Sequence, residues 1–240
     1  MPNIIIPARY ASSRFPGKAV ALLKGRPMIH HVACRALAAS RQVTVATDDQ
    51  RIADAVRDLP VKVVFTDPDL PSGTDRVAAA ARELKLDDNA IIVNLQGDLP
   101  AIAPELITLT AAPMQRDGDI AMATAVIEQD IQTGFQDPNS VKAVLDGAGN
   151  ALYFSRSPIP YDRSGQLKSF YHHIGLYVFR NWLLQKFVSL PVSNLEQIEG
   201  LEQLRVLEAG YKIRCVVSSY SAPAEVNTPE DVALVSPELH

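Results

Sequence analysis

Short apolar runs alternate with helix-forming stretches through the first half of this chain, and this alternation restricts the fold more than any other feature. Residues 4–6 (Ile-Ile-Ile) and 90–95 (Ala-Ile-Ile-Val-Asn-Leu) are apolar enough to be buried on both faces of a sheet. Strands covered on both faces belong to parallel sheets, in which right-handed helical crossovers connect the strands. We therefore predict an α/β protein with a mainly parallel sheet flanked by helices.

The same patterns predict individual elements. In the first half they predict strands at 3–6, 43–46, 61–65 and 90–95, helices at 27–39 and 72–84, and a cap for a further helix at 47–49. In the second half they predict a hairpin of strands 141–146 and 151–155, a loop at 157–169, strands at 174–180 and 213–217, a helix at 196–209 and a last helix that begins at 228–231.

Size and charge narrow the functional classes. The 240 residues fit one α/β domain with a small insertion. A formal net charge of −4 argues against a general nucleic-acid binder, which usually presents a basic surface. No apolar run approaches the length of a membrane span, and Met1 leads directly into the first strand without a signal-peptide pattern. We expect a cytoplasmic protein without membrane insertion.

A cationic loop follows the first strand. Arg9, Arg14, Gly17 and Lys18 lie within it. In α/β sheets, a loop at the carboxyl end of a strand is a common site for anionic ligands, and Arg and Lys together suit a polyphosphate. The loop lacks both common glycine-rich phosphate-binding patterns, so side chains would contribute to binding. On charge alone, a solvated basic turn is an equally good interpretation.

Two further motifs belong to the same edge of the predicted sheet. Asp98 directly follows the fourth strand, where a carboxylate can hold a divalent cation over phosphates. Residues 72–76 (Ser-Gly-Thr-Asp-Arg) begin a helix and could contact a base or an anion. Taken singly, the first is also an ordinary strand-ending turn and the second an ordinary helix cap. Their coincidence with Lys18 at one edge favours a ligand site.

The second half offers weaker candidates. Arg156 ends a strand, His172 and His173 precede another, and Glu202 and Gln203 lie on the polar side of the predicted 196–209 helix. A lone His is more often a structural residue than a ligand, and Arg156 is equally compatible with a solvated or salt-bridged side chain. The histidine pair has no further His or Cys at metal-ligand spacing, which argues against a zinc site. The chain also lacks the Gly-x-Ser-x-Gly nucleophile motif, which removes the simplest hydrolase interpretation.

Together these motifs resemble the 3-deoxy-manno-octulosonate cytidylyltransferases, the CMP-Kdo synthetases of lipopolysaccharide assembly. The similarity covers nearly the whole chain in the right order. The matching segments are 6–18, 25–29, 45–49, 72–76, 93–98, 151–156, 173–177, 201–205 and 228–231. The resemblance implies a Rossmann-like fold of the nucleotide-diphospho-sugar transferase type. It also implies a single domain over 1–240, with an inserted dimerisation lobe at roughly 138–190, and a homodimer in the cytoplasm of a Gram-negative-type bacterium.

The resemblance also implies a reaction, in which CTP and an anionic 3-deoxy-ulosonic acid, Kdo, give CMP-Kdo and pyrophosphate with Mg²⁺ as cofactor. The implied catalytic residues are Arg9, Lys18 and Asp98. The implied nucleotide-binding residues are Ala8, Arg9, Ser13, Lys18, Ser72 and Arg76. The implied sugar-binding residues are Gln96, Arg156, His173, Tyr177, Glu202 and Gln203, and the implied metal ligands are Asp98 and Asn227.

Three positions depart from the family pattern. Leu99 replaces a Glu, Phe179 replaces a Tyr that often follows the sugar-binding strand, and Asn227 replaces an Asp that is the second metal ligand. An Asn carbonyl can still bind a hard cation but brings no charge, so we expect an unusually high Mg²⁺ requirement. Two alternatives stay open: the same chemistry on another 3-deoxy-ulosonic acid, such as 8-amino-Kdo or a sialic acid, and a non-catalytic nucleotide-sugar-binding homologue.

Overall fold

A computed structural model describes residues 1–11 and 15–235 of the chain. The strands are β1 (Asn3–Ala8), β2 (Leu22–Leu23), β3 (Arg26–Pro27), β4 (Val43–Thr47), β5 (Lys62–Phe65), β6 (Ile91–Asn94), β7 (Met122–Asp130), β8 (Lys142–Leu145), β9 (Ala151–Ser155), β10 (Ser169–Arg180) and β11 (Arg214–Ser218). The α-helices are α1 (Met28–Ala39), α2 (Gln50–Asp54), α3 (Gly73–Glu83), α4 (Pro104–Arg116), α5 (Asn181–Ser189), α6 (Asn194–Glu199), α7 (Gln203–Glu208) and α8 (Asp231–Val235), and Lys18–Val20 forms a 3-10 turn.

The main sheet has the strand order β11-β7-β10-β6-β1-β4-β5. Strand β1 pairs in parallel with β4 and with β6, and β4 pairs in parallel with β5. At the other end of the sheet, β11 pairs in parallel with β7. Only β10 runs against its neighbours in this order, since it is antiparallel to both β6 and β7. The prediction of a mixed, mainly parallel α/β sheet is therefore confirmed.

Strand β10 joins the predicted hairpin to this sheet. The hairpin is present as β8 and β9, and β8 pairs with the first half of β10. The second half of β10 pairs with β6, and a register shift between Ile174 and Tyr177 separates the two halves on the β7 side. The hairpin is thus a lateral extension of the same sheet. The predicted boundaries of a separate lobe stay a prediction.

The alternation of side chains along β1 explains why residues 4–6 of this strand are all apolar. Ile4 and Ile6 are fully buried in a core with α1 and α4, whereas Ile5 is buried on the other face in a core with α3 and α5. Because helices cover both faces, none of these three positions is available for a solvated side chain.

The prediction of one helix over 196–209 is wrong. The structure has two short helices, α6 and α7, separated at Gly200, whose φ of 62° is left-handed and ends α6. Ser193 begins α6 with a capping box that includes Glu196. Leu201, directly after the break, is buried in the core, so the apolar periodicity of the sequence continues across the break. The sequence pattern therefore gave no sign that one helix ends and another begins. The sequence patterns also left α4, β7 and α5 unassigned.

Among residues 1–11 and 15–235, no helix has both the length and the apolar character that crossing a membrane requires.

Candidate active site

Two adjoining cavities open where β1 and β6 end. Cavity A, of about 260 Å³, is lined by seven of the residues implicated by sequence, namely Ala8, Arg9, Lys18, Ser72, Arg76, Gln96 and Asp98. Cavity B, of about 300 Å³, is lined by Thr74, Leu99, Gly175, Tyr177, Glu202 and Glu225. Gly73, Gln96 and Asp98 belong to the walls of both. Lys18, Ser72 and Asp98 thus meet at the carboxyl edge of the parallel strands, as the sequence predicted.

The loop after β1 brings a lysine to the end of β6. Gly17 has a φ of 74° and its N–H donates to the Tyr10 carbonyl (2.9 Å), which closes the loop just before the 3-10 turn. The Lys18 ammonium then lies 3.0 Å from the Asp98 carboxylate, and both side chains are mostly buried. Arg9 is exposed on the wall of cavity A. Ser13, predicted to bind nucleotide, lies outside the described residues.

Gly97 allows this turn to approach β1 closely. A side chain at position 97 would put a Cβ atom 3.0 Å from the Pro7 carbonyl oxygen, too close for any other residue without backbone movement. The glycine thus lets the turn after β6 pack against the end of β1, and Asp98 follows directly beside Lys18.

The start of α3 forms another wall of cavity A. Ser72 caps the helix: its hydroxyl accepts from the Asp75 N–H (3.1 Å) and donates to the Asp75 carboxylate (2.5 Å). The Arg76 side chain is 2% exposed, donates to the Asp48 carboxylate at 3.0 Å and also donates to the Thr66 hydroxyl. The polar atoms of Ser72 and Arg76 therefore have protein partners, although both residues line the cavity.

A directional chain of hydrogen bonds crosses behind cavity B. The side-chain amide of Gln96 donates from Nε2 to Asn94 Oδ1 (3.3 Å). The side-chain amide of Asn94 in turn donates from Nδ2 to the Thr74 hydroxyl (2.9 Å). The Thr74 hydroxyl lies 2.8 and 2.9 Å from the two carboxylate oxygens of Glu202 and donates to them. Burial raises the pKa of the Glu202 carboxyl to about 7, and the hydrogen bond from Thr74 opposes that rise.

Tyr177 lines cavity B, and residues outside the walls of that cavity hold its hydroxyl group. The Tyr177 hydroxyl donates to the side-chain oxygen Oε1 of Gln203 (2.9 Å), and the side-chain nitrogen Nε2 of Gln203 lies 3.5 Å from His173 Nδ1. His173 Nε2 lies 2.9 Å from the Thr124 hydroxyl. Burial lowers the pKa of His173 to about 3, so the ring is neutral at physiological pH. His173 and Gln203 are nearly inaccessible to solvent.

Arg156 links the segment at residue 138 to the end of α6 through hydrogen bonds. Its guanidinium donates to the carbonyl oxygens of Glu199 (2.7 Å), Pro138 (2.9 Å) and Gly200 (3.4 Å). As formed by the described residues, the walls of the two cavities include Gln96, Tyr177 and Glu202 but not Arg156, His173 or Gln203. The sugar-binding assignments of all these residues stay predictions.

The segment before α8 brings a residue to the site that the sequence reasoning missed. The Val226 N–H donates to the Asp98 carbonyl (3.0 Å), which holds residues 225–227 beside Asp98. The Asn227 amide donates to the Glu225 carboxylate (3.1 Å), and Glu225 lines cavity B. In the sequence, nothing pointed to Glu225 except its position two residues before Asn227. Within the described ranges, no group of three His, Cys, Asp or Glu residues is arranged to hold a metal ion.

Comparison with known proteins identifies the family. Residues 3–213 match the family described as "Cytidylyltransferase". The chain belongs to this family. This chain is 45% identical to the "8-amino-3,8-dideoxy-manno-octulosonate cytidylyltransferase" of Shewanella halifaxensis over 99% of its own length and 98% of that protein. It is 46% identical to the protein of the same name from Shewanella sediminis, with the same coverage. The resemblance to the Kdo-type cytidylyltransferases is confirmed.

Solved structures agree with this family. The structure of "CMP:2-keto-3-deoxy-manno-octonic acid synthetase complexed with CTP" is 39% identical to the cytidylyltransferase, with a TM-score of 0.91 over 98% of this chain and 97% of that one. A cytidylyltransferase from Leptospira borgpetersenii serovar Hardjo-bovis is 18% identical, with a TM-score of 0.63 over 95% and 82% of the two chains. The second likeness shows the fold alone.

Proposed function

We propose that this cytidylyltransferase transfers CMP from CTP to the anomeric hydroxyl of a 3-deoxy-octulosonic acid and releases pyrophosphate. The observation that carries the proposal is the meeting of two cavities at Asp98, one with cationic walls and one with hydroxyl-binding groups. A donor and an acceptor bound side by side would react at this junction, and such positioning is the main contribution of protein to phosphoryl-type transfer.

Cavity A supports the nucleotide half of the reaction. Arg9 and Lys18 are the cations on its wall that suit a triphosphate. The Lys18 ammonium is paired with Asp98, and we propose that it turns to the phosphates when CTP binds. There it would stabilise the negative charge that develops on the departing pyrophosphate.

Cavity B supports the acceptor half. Gln96 offers an amide, Tyr177 a phenol and Glu202 a carboxylate, and these groups together can donate to and accept from sugar hydroxyls. Burial raises the pKa of the Tyr177 hydroxyl well above its ordinary value, so it stays protonated at neutral pH.

The donor chemistry near Asp98 fits Mg²⁺ in part. Asp98 and the Asn227 side-chain carbonyl are hard oxygen donors of the kind this ion prefers. Because Asn227 is uncharged, we propose that Asp98 and the CTP phosphates would hold most of the ion. Bound there, Mg²⁺ would polarise the α-phosphate.

We propose 8-amino-3,8-dideoxy-manno-octulosonate as the preferred acceptor and Kdo as the second candidate. The names of the Shewanella relatives support this order. Cavity B supports it as well, since Glu202 and Glu225 are carboxylates on its wall and a carboxylate attracts an ammonium group more strongly than a hydroxyl. A sialic acid would be a poorer match to the relatives.

The test is a pyrophosphate-release assay with CTP and each sugar across Mg²⁺ concentrations. We expect release with both octulosonic acids and a higher kcat/KM for the amino sugar. CTP binding without release at any Mg²⁺ concentration would instead identify a non-catalytic homologue. A homodimer and a cytoplasmic location remain predictions, and light scattering during gel filtration tests the first.

Replacing Lys18 tests the role of cavity A. We expect Lys18→Ala to lower kcat/KM by about 100-fold, as loss of a group that stabilises transition-state charge does. Lys62→Ala is the matched control, because Lys62 is exposed at the opposite, amino end of edge strand β5. Equal activity of the two variants would contradict the assignment.

A further inference from the structure

Thr74 connects the two cavities. It lies in the first turn of α3, between Ser72 and Arg76, which face cavity A, and it is itself part of the wall of cavity B. The side chain is 1% exposed, so its hydroxyl must find its partners within the protein. Its partners are Asn94 and Glu202, which come from β6 and from the start of α7.

The hydrogen bonds around Thr74 have one direction. The Asn94 carbonyl oxygen accepts from Gln96, so the other end of the Asn94 amide is the donor to the Thr74 hydroxyl oxygen. A hydroxyl carries a single proton, and that of Thr74 is left for the two Glu202 oxygens at 2.8 and 2.9 Å. Each donor in the chain polarises the next, and the Glu202 carboxylate is the final acceptor.

Charge around Glu202 makes this donor important. The titratable and charged groups that face Glu202 are Asp75, Glu196, Arg205, Asp98, Glu225 and Tyr177. Acidic groups predominate in this set, and the pKa of the Glu202 carboxyl lies at about 7, with burial as the largest cause. Without the hydrogen bond from Thr74, the ionised form would be less favoured still.

We propose that Thr74 is a positioning residue for the acceptor sugar, because its hydroxyl orients Glu202 and favours the ionised, hydrogen-bond-accepting form of that carboxyl in cavity B. This proposal rests on the proposed function, in which Glu202 contacts the sugar. It predicts that loss of the Thr74 hydroxyl weakens acceptor binding without weakening CTP binding, although Thr74 belongs to the helix that borders the nucleotide cavity.

The test compares Thr74→Val, which removes the hydroxyl, with Thr74→Ser, which keeps it. Thr110→Val is the matched control, because Thr110 is also buried on a helix and donates to the Leu106 carbonyl, within α4. For Thr74→Val we expect the acceptor KM at pH 7 to rise roughly 10-fold, the loss typical of a hydrogen bond to a charged group. We expect the CTP Kd to change less than about 2-fold, and Thr74→Ser and Thr110→Val to resemble the wild type.

The pH dependence of the acceptor KM distinguishes this role from a purely structural one, which would leave that pH dependence unchanged. In Thr74→Val the pH below which the acceptor KM increases should move upward, because Glu202 would protonate at a higher pH. ¹³C NMR of the glutamate side chains, without substrate, should show the same upward displacement of the Glu202 titration midpoint. Thr74→Ala serves for this measurement if Thr74→Val does not fold.

Two results would overturn the proposal. One is an unchanged Glu202 midpoint in a folded Thr74→Val or Thr74→Ala protein. The other is a parallel loss of CTP and acceptor binding that Thr74→Ser does not rescue. If wild-type protein releases no pyrophosphate with either sugar, the proposed function fails, whereas the NMR midpoint still decides the role of Thr74.

Discussion

Replacing Glu202 by glutamine is expected to make the protein more stable at alkaline pH and worse at binding its acceptor. Burial raises the pKa of this carboxyl from its ordinary value of 4.5 to about 7. A raised pKa means that the neutral form is favoured in the folded state. The stabilisation is complete below pH 4.5, is lost as the pH rises through 7, and is absent above that value.

The size of the effect follows from the shift. One pKa unit corresponds to about 1.4 kcal/mol, so a rise from 4.5 to about 7 gives an upper value of about 3.4 kcal/mol. Glu202 is half-buried on the wall of cavity B, and contact with water there reduces the cost of ionisation. We therefore expect the free energy of unfolding of Glu202→Gln, relative to wild type, to rise by about 2–3 kcal/mol between pH 4.5 and pH 8.

Urea unfolding of both proteins at the two pH values measures this difference. Glutamine is neutral throughout and its carbonyl can accept from Thr74, so packing is conserved. Glu83→Gln is the control, because Glu83 is exposed at the end of α3 and its replacement should give the same small difference at both pH values. If Glu202→Gln also gave equal differences at both pH values, within about 0.5 kcal/mol, the electrostatic reasoning would be refuted.

Two further substitutions test the charges beside Asp98. Asn227→Asp should lower the Mg²⁺ concentration for half-maximal activity roughly 10-fold, because it adds a charged oxygen ligand; equal midpoints in a metal titration of the two proteins would contradict this. Glu225→Gln should reduce the preference for the amino sugar over Kdo by about 2–5-fold, the range expected for an exposed charge pair. The ratio of the two kcat/KM values measures this preference, and an unchanged ratio would show that Glu225 does not bind the ammonium group.

Sequence reasoning predicted cavity A well because its parts follow strand ends. Lys18 and Asp98 come after the first and fourth apolar strands, and strands of a parallel sheet end at the same edge. The topology predicts this shared edge, whereas the 3.0 Å contact between the two side chains also depends on β1 and β6 being neighbours, which the structure decided. Leu99 was noted only as a departure from a pattern, and the structure adds that it is buried on the wall of cavity B.

Cavity B was harder to predict because its residues leave no common local pattern. Tyr177 lies opposite Asn94 on β6 and Thr124 on β7, in a polar row across the sheet that depends on the antiparallel insertion of β10. The break at Gly200 starts a new helix at Gln203, so the interpretation of Glu202 as part of the polar side of one long helix was wrong. A periodicity that continues across a left-handed glycine cannot reveal that change of direction.

The sequence by itself determined the parallel core, the cationic loop and the carboxylate beside it, because strand composition and turn residues specify which loops share an edge. Only the tertiary structure decided that Glu225 reaches cavity B and that Thr74 donates to Glu202. Thr74 and Glu202 are 128 residues apart, and a contact over that distance depends on how α3, β6 and α7 pack against the sheet. Burial at that contact raises the pKa of the Glu202 carboxyl to about 7. This rise results from loss of contact with water, so it depends on where the residue lies in the fold and cannot be predicted from its being a glutamate.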